Sequence, residues 1–364
     1  MKLLFIIHVK DKFIGGSKIS AIDSANKLEK FGHDVYLIAD KENFTVQKLL
    51  SKKVKLIDFK HDQLWPIKKS WLLYKTIKKH KFDKIITIDR QSAYISSIFS
   101  VLKDIPLVPI IPGGGKEQLP IEPVKIPTIV FSEENKQNLM QMFDWPEGLI
   151  DVVPARIDVQ KFSSNEIIEK RENSVAFISR VHETKSESFY SFIEELKNLS
   201  KSNLKKFKFD LIGDGDNFDE WKKYSKKSKV PVKFIGQKKI SGKILSNYKL
   251  VVGQGRVILE AISSGTIASI CGNNGYKGII KTNNFDEYAS TNFTGRDMVR
   301  KSKLDHDLNE LDKNISEIDL LYRLVYDKYD IHILAKKISK HNAKVNRKIL
   351  ISSFYKIIKN KLRI

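Results

Sequence analysis

The chain has 364 residues, 41% of them apolar and 10% aromatic, which suits a folded protein of two domains and excludes a disordered one. A formal charge of +22 implies an anionic partner: a phosphorylated substrate, a nucleic acid or an anionic membrane surface. The single cysteine, Cys271, excludes an internal disulfide framework, fits a reducing cytosol and reads as a small buried side chain.

The opening MKLLFIIHV superficially looks like a secretory leader. Its apolar run is short, Lys10, Asp11 and Lys12 interrupt it, and no small-residue cleavage site follows, so it reads as a buried strand, Leu3–Val9. Nowhere do ~18 apolar residues run together, so no transmembrane helix is expected. A loop with Gly15 and Gly16 leads into a helix from Ser17 to about Phe31, with Ile19, Ile22, Ala25 and Leu28 on one face and Gly32 closing it. Strands follow at Val35–Ala39, Val54–Ile57, Ile85–Ile88, Leu107–Ile111 and Ile129–Phe131, with helical patterns between most of them. One of those patterns, residues 66–82, predicts a lysine-rich helix with Ile67, Trp71, Tyr74 and Ile77 along an apolar face. Such alternation means a parallel sheet covered on both faces.

The pattern breaks into a polar stretch at Pro154–Asn173, which sets domains at 1–165 and 166–330. A second alternating set runs through Ser174–Ile178, Phe207–Ile212, Val232–Ile235, Leu250–Val252 and Ile267–Ile270. The fold class is therefore α/β, two Rossmann-like halves in series. Ligands of such sheets bind beyond the carboxyl ends of the strands, and a central cleft faced by both halves is the expected active site.

Within the second half, VVGQGRVILEAISSG reads as a strand, a Gly-x-Gly loop and a helix opening near Val257, with Gly265 at its C-terminal end. A junction of this kind aims unpaired backbone N–H groups at a phosphate. Arg256 would add a cation at the mouth, and Glu260 a carboxylate for sugar hydroxyls. Upstream, ISRVHETKSES supplies Arg180 and Lys185. Arg180 suits two phosphate oxygens at once, whereas Lys185 acts as a point charge.

Seven segments occur in the order found in family-4 glycosyltransferases, which this chain resembles over roughly residues 1–300: GGSKISAIDSANKLEKFGHDVYLIA, VFSEENKQNL, DVVPARIDVQKF, AFISRVHETK, FDLIGDGDNFDEW, VKFIGQ and GRVILEAISSG. The resemblance implies the GT-B fold and retaining, metal-independent transfer of a sugar from a nucleotide diphosphate, UDP being the commonest. It implies that Arg180 and Lys185, as the R-x4-K pair, hold the donor diphosphate. It puts Glu260, of E-A-x-x-x-G, on the donor ribose and Gly16 near a donor phosphate. Gly15, Asp89, Gly213, Gly236, Gln254, Gly255, Arg256 and Val257 complete the expected substrate-binding set. It also implies a first domain that binds the acceptor, completed by helices in 331–364, and a second that binds the nucleotide sugar.

Two features depart from the family. The glutamate that many members carry eight residues before Glu260 is Val252 here, so Gly253, Gln254 or Arg256 would take over the sugar contact. The first-domain histidine is missing from VPIIPGGGK, leaving Asp89 and Arg90 as alternative residues. A non-catalytic subunit that assists a partner transferase is the rival reading, and a sugar-nucleotide 2-epimerase a further one.

Asp214-Gly215-Asp216 has the look of a D-x-D metal site but falls in a turn after a strand, with too few oxygen ligands for a cage. His182 reads as a spacer rather than a base. No phosphate loop of the NTPase type and no nucleic-acid-binding motif is present. The lysine-rich helix at 66–82 and the basic tail from Lys336 to Ile364, with Ile351, Phe354, Tyr355 and Ile358, suit an anionic membrane surface. The expected partners are thus a nucleotide-sugar donor, a glycan or lipid-linked acceptor and that surface, with a homo-oligomer or partner transferase also compatible.

Overall fold

The computed structural model describes residues 1–7, 15–59, 65–112, 125–164, 171–296, 298–299, 302–348 and 350–351. Contacts divide the chain into two units, residues 1–156 with 331–364, and residues 157–330.

In the first unit, short apolar runs form β1 (Lys2–Ile6), β2 (Asp34–Ala39), β3 (Lys55–Asp58), β4 (Lys84–Thr87), β5 (Leu107–Ile111), β6 (Thr128–Val130) and β7 (Ile150–Val152). They lie in the order β3-β2-β1-β4-β5-β6-β7, every neighbouring pair parallel. All five residues of β5 are buried, as are Leu3–Ile6 of β1, so these strands read as continuous apolar runs rather than alternating ones. Helices α1 (Gly16–Lys30), α2 (Phe44–Leu49), α3 (Trp65–Lys79), α4 (Arg90–Lys103) and α5 (Glu133–Phe143) connect them.

The second unit contains β8 (Ser174–Ile178), β9 (Lys208–Ile212), β10 (Val232–Gly236), β11 (Leu250–Gly253), β12 (Ile267–Gly272) and β13 (Gly275–Ile279), in the order β10-β9-β8-β11-β12-β13. All pairs are parallel except β12 with β13. Its helices are α6 (Val159–Phe162), α7 (Glu183–Lys197), α8 (Lys201–Lys206), α9 (Phe218–Lys227), α10 (Gly242–Leu245), α11 (Arg256–Ser263), α12 (Phe285–Ser290), α13 (Leu304–Asn309) and α14 (Ile318–Tyr329). The chain enters and leaves this unit side by side. Ile157 bridges Asp330, whose carboxylate accepts the Val159 N–H at 3.1 Å.

The last helix, α15 (Ile331–Lys340), returns to the first unit, burying Ile331, Leu334, Ala335 and Ile338 in the core that α1 lines with Ala21, Ile22, Ala25 and Leu28. Its C-terminal carbonyls need donors. The Lys84 ammonium, on β4, supplies them to Ile338 O at 2.8 Å and Ser339 O at 2.9 Å. Burial lowers the Lys84 pKa to about 8, while the negative end of the helix favours the cation.

The strands foreseen from the sequence are present with small shifts at their ends, and two further ones, β7 and β13, join the sheet edges. The lysine-rich helix is α3, but its buried face is different from the one expected. Lys69, Leu73, Thr76 and Ile77 face inward, spaced for one side of a helix, while Trp71 is 57% exposed and Tyr74 38%. The aromatic pair therefore belongs to the outward face. The side chain of Ile67, the segment Gly113–Gly115 and the tail from 352 onward lie outside the described residues.

The core that carries α7 is aromatic. Phe177 stacks on Phe192 with centroids 4.8 Å apart, and Phe189 stacks parallel on Trp221 at 4.4 Å, with the Trp221 N–H donated to Ser186 Oγ at 2.9 Å. Phe189→Ala should lower unfolding free energy by about 3–5 kcal/mol in denaturant titration, and Phe189→Leu by clearly less. Equal losses would mean that ring packing is not what seats α7.

Candidate functional site

The second sheet reverses its strand order at β8, with β9 on one side and β11 on the other. Loops leaving the carboxyl ends of β8 and β11 diverge there, and that is where open α/β sheets hold ligands. Arg180 lies in the loop after β8 and is half-buried. His182 caps α7, its Nδ1 accepting the Thr184 N–H at 3.2 Å, so its role in the fold is to start that helix. Lys185 follows in the first turn and crosses the reversal point. Its ammonium donates to Gln254 Oε1 at 2.7 Å, and Gln254 Nε2 donates on to the Cys271 carbonyl at 3.3 Å. The loops of β8 and β11 and the end of β12 are thereby joined by side chains. Burial, then the charges of Arg296 and Arg180, push the Lys185 ammonium down to about 8.

At the β11–α11 junction, a Cβ on Gly253 would come within 2.7 Å of Val257 Cγ1 and 3.0 Å of the Ile178 carbonyl, so strand and helix close tightly. Gly255, in the left-handed region at φ +67°, precedes α11 without a side-chain cap and donates its N–H to the Phe293 carbonyl at 2.7 Å. The helix opens at Arg256, one residue earlier than expected, and Val257 is half-buried. Arg256 is not a cation at an open mouth. It is buried at 7% exposure with Nε 2.5 Å from Glu260 Oε1, and Glu260 is buried at 6%. Each holds the other along one helix face.

The glycines after β9 are required by a backbone crossing. A Cβ on Gly213 would lie 1.8 Å from the Ser179 carbonyl oxygen, and one on Gly215 2.0 Å from that of Val181. The crossing is tied by Val181 N–H to Asp214 O at 3.1 Å and Gly213 N–H to Gly236 O at 3.0 Å. Gly213 and Gly236 thus tie the ends of β9 and β10 together, and Gly213 lets them meet the loop that carries Arg180. Asp214 accepts the Gly215 N–H at 2.8 Å, and among the described residues no group of three or more His, Cys, Asp or Glu is placed to hold a metal ion.

Gly15, Gly16 and Asp89 belong to the first unit, at its own reversal point between β1 and β4. Gly15 precedes α1 with open space where a Cβ would be, and Gly16 is the first helical residue. Asp89 caps α4, accepting the Ser92 N–H at 2.6 Å and the Ser92 hydroxyl at 2.8 Å. Lys69, buried beneath, donates to Ser92 Oγ at 2.8 Å, and burial pushes its ammonium down to about 8. Arg296, which the sequence analysis does not single out, follows Gly295, a residue in the left-handed region at φ +67°.

No protein-family model matches the sequence, and no curated protein does. Solved structures do. HepE of Anabaena, crystallised with UDP and glucose, is 16% identical and superposes with a TM-score of 0.66, covering 93% of this chain and 98% of its own. WaaG, a glycosyltransferase involved in lipopolysaccharide biosynthesis, is 14% identical with a TM-score of 0.61, over 92% and 98%. TarM of S. aureus, in a complex that includes UDP, is 13% identical with a TM-score of 0.59, over 98% and 99%. The fold is GT-B.

In this GT-B chain the Gly213 crossing gives a direct test. Gly213→Ala combines left-handed-region strain of about 1–3 kcal/mol with a backbone overlap, whereas Gly236→Ala carries the strain alone. Melting should show Gly213→Ala much the worse of the two. Similar losses would contradict the crossing.

Proposed function

We propose that the chain is a retaining hexosyltransferase. On this reading it moves a sugar from a nucleotide diphosphate, above all UDP, to a glycan, lipid-linked or cell-wall polymer acceptor in bacterial surface polysaccharide synthesis. The observation that carries the reading is the pairing of Lys185 with Gln254 beside Arg180, at the reversal point of the second sheet. As the glycosidic bond breaks, its electrons move onto the diphosphate. Fixed cations and the uncapped start of α11 stabilise that charge without a general acid or a metal ion. Arg180 and Lys185 then act on the leaving group. Gln254, Gly255 and Val257 line the donor, and Glu260, oriented by Arg256, takes the ribose. Gly213 and Gly236 support the loop. In the first unit, Gly16 approaches a donor phosphate, and Gly15 and Asp89 complete the substrate-binding set.

Work at the inner face of the cell membrane accords with α3. On its outward face Trp71 and Tyr74 stack with centroids 5.9 Å apart, Lys75 sits 4.9 Å over the first ring and Lys78 6.0 Å over the second. Aromatics among lysines suit an anionic headgroup layer. Among the described residues no helix is long and apolar enough to cross a membrane.

One observation favours the alternative of a non-catalytic subunit assisting a partner transferase. Val252, in place of the family glutamate, is fully buried in β11 and offers no group to a sugar. Release of UDP from UDP-sugars by pure protein separates the readings. The enzyme should release UDP, and Arg180→Ala or Lys185→Ala should slow it by roughly 10²–10³-fold. No release from any UDP-sugar, with indifference to Arg180→Ala, would establish the subunit instead.

A further inference from the structure

The first unit holds a buried cation that the reading above does not use. Lys69, on the inward face of α3, is fully buried, although lysine seldom is. Its ammonium donates to Ser92 Oγ, in the first turn of α4, at 2.8 Å. An ammonium has no acceptor site, so the hydroxyl must receive that bond and place its own proton elsewhere. The proton goes to Asp89 Oδ2 at 2.8 Å, while Asp89 Oδ1 takes the Ser92 N–H at 2.6 Å. A relay of fixed direction therefore runs from α3 through α4 to the loop after β4.

Capping α4 does not call for this arrangement. Asp89 alone satisfies the Ser92 N–H. An ammonium in the first turn of a helix faces the positive pole of its dipole. Burial opposes the charge as well, lowering the Lys69 pKa to about 8, while the charge of Asp89 favours it. An apolar side chain there would serve stability as well or better. What the ammonium adds is a fixed orientation for Asp89. Both carboxylate oxygens are held from the Ser92 side, and Asp89 stays half-buried at the reversal point between β1 and β4. An ionised carboxylate accepts about four hydrogen bonds. Ser92 supplies two of them, so acceptor capacity is left for a ligand. A fixed anion of this kind takes hydroxyl donors and repels phosphate oxygens.

We propose that Lys69 is a positioning residue for sugar recognition: through the Ser92 hydroxyl it locks the Asp89 carboxylate, whose remaining lone pairs accept a hydroxyl of the transferred sugar. This rests on the transferase reading above and deepens it, because it assigns the hydroxyl-recognising group of the first unit and the side chains that hold it. Lys69 itself touches no substrate. An acceptor already locked in place loses little freedom when the sugar binds. Released from the relay, Asp89 could turn to other rotamers and would hold the same hydroxyl less well.

The test is a double-mutant cycle on the intact chain, read as UDP release from UDP-glucose, UDP-galactose and UDP-N-acetylglucosamine. The variants are Lys69→Met, Ser92→Ala, Asp89→Asn, which keeps the cap but removes the charge, and Lys69→Met with Asp89→Asn. The melting temperature of each checks folding, and Ser92→Ala breaks the relay from its other side should Lys69→Met not fold. With the sugar turned over fastest, Asp89→Asn should lower kcat/KM by about tenfold or more, and Lys69→Met or Ser92→Ala by about three- to tenfold. All three should divide the loss between kcat and KM in the same proportion, because they act on one contact. The double variant should fall within about twofold of Asp89→Asn alone. Multiplying losses in the double variant, or single variants that turn over like the wild type, would overturn the role of Lys69 and leave the transferase reading standing. A wild type that releases UDP from none of the three would overturn that reading and this inference with it.

Discussion

The second unit depends on one contact, the ammonium of Lys185 held by the side-chain oxygen of Gln254 across the point where the sheet reverses. β8 and β11 are neighbours, but their following helices pack on opposite faces, so their loops separate. A side chain spans the separation, and its partner is a neutral amide rather than a carboxylate. That choice matters. A carboxylate would neutralise the lysine and fill the position with a permanent counter-charge, whereas an amide fixes the ammonium and leaves its charge available to an anion. The burial and the neighbouring arginines that depress the Lys185 pKa are the cost of keeping the position charged.

The rest of the second unit makes that position rigid. The aromatic stack under α7 fixes the helix that carries Lys185, and the crossing of Gly213 and Gly215 over Ser179 and Val181 fixes the loop that carries Arg180. Gly253 lets α11 begin hard against β8, and the Arg256–Glu260 pair orients a buried carboxylate. In the first unit α15 seals the face that α1 lines, through apolar packing and the Lys84 contact to its last carbonyls. Both sheets therefore present reversal points built from the same parts: a glycine-opened helix on one strand and a capped or clamped helix on the other.

Much of this was legible in the chain. Ser174–Ile178 and Leu107–Ile111 coincide with β8 and β5, because uninterrupted apolar runs bounded by polar residues admit few other readings. The parallel, doubly covered sheets followed from their alternation with helical patterns. β7 was missed because three residues, only one of them buried, carry no periodicity, and β13 because glycines interrupt it. The face of α3 differs from the expected one because Lys69, a residue type that ordinarily faces solvent, is wholly buried beside Ser92. In the site, Arg180, Lys185 and the α11 start were readable from spacing. The engagement of Arg256 by Glu260 was not, since both residue types ordinarily face solvent and only the packed helix shows them buried together.

The central claim is that Lys185 sits in its amide clamp as a depressed cation awaiting a diphosphate, and proton linkage tests it most directly. Because burial lowers its pKa to about 8, a bound anion should pull it back up, so binding at that pH must take protons from solution. Calorimetry of UDP binding near pH 8, in two buffers of different ionisation enthalpy, should show uptake of about half a proton in the wild type. Lys185→Arg, which cannot deprotonate, should show none. Tight UDP binding with no proton uptake, or the same uptake in Lys185→Arg, would contradict the account.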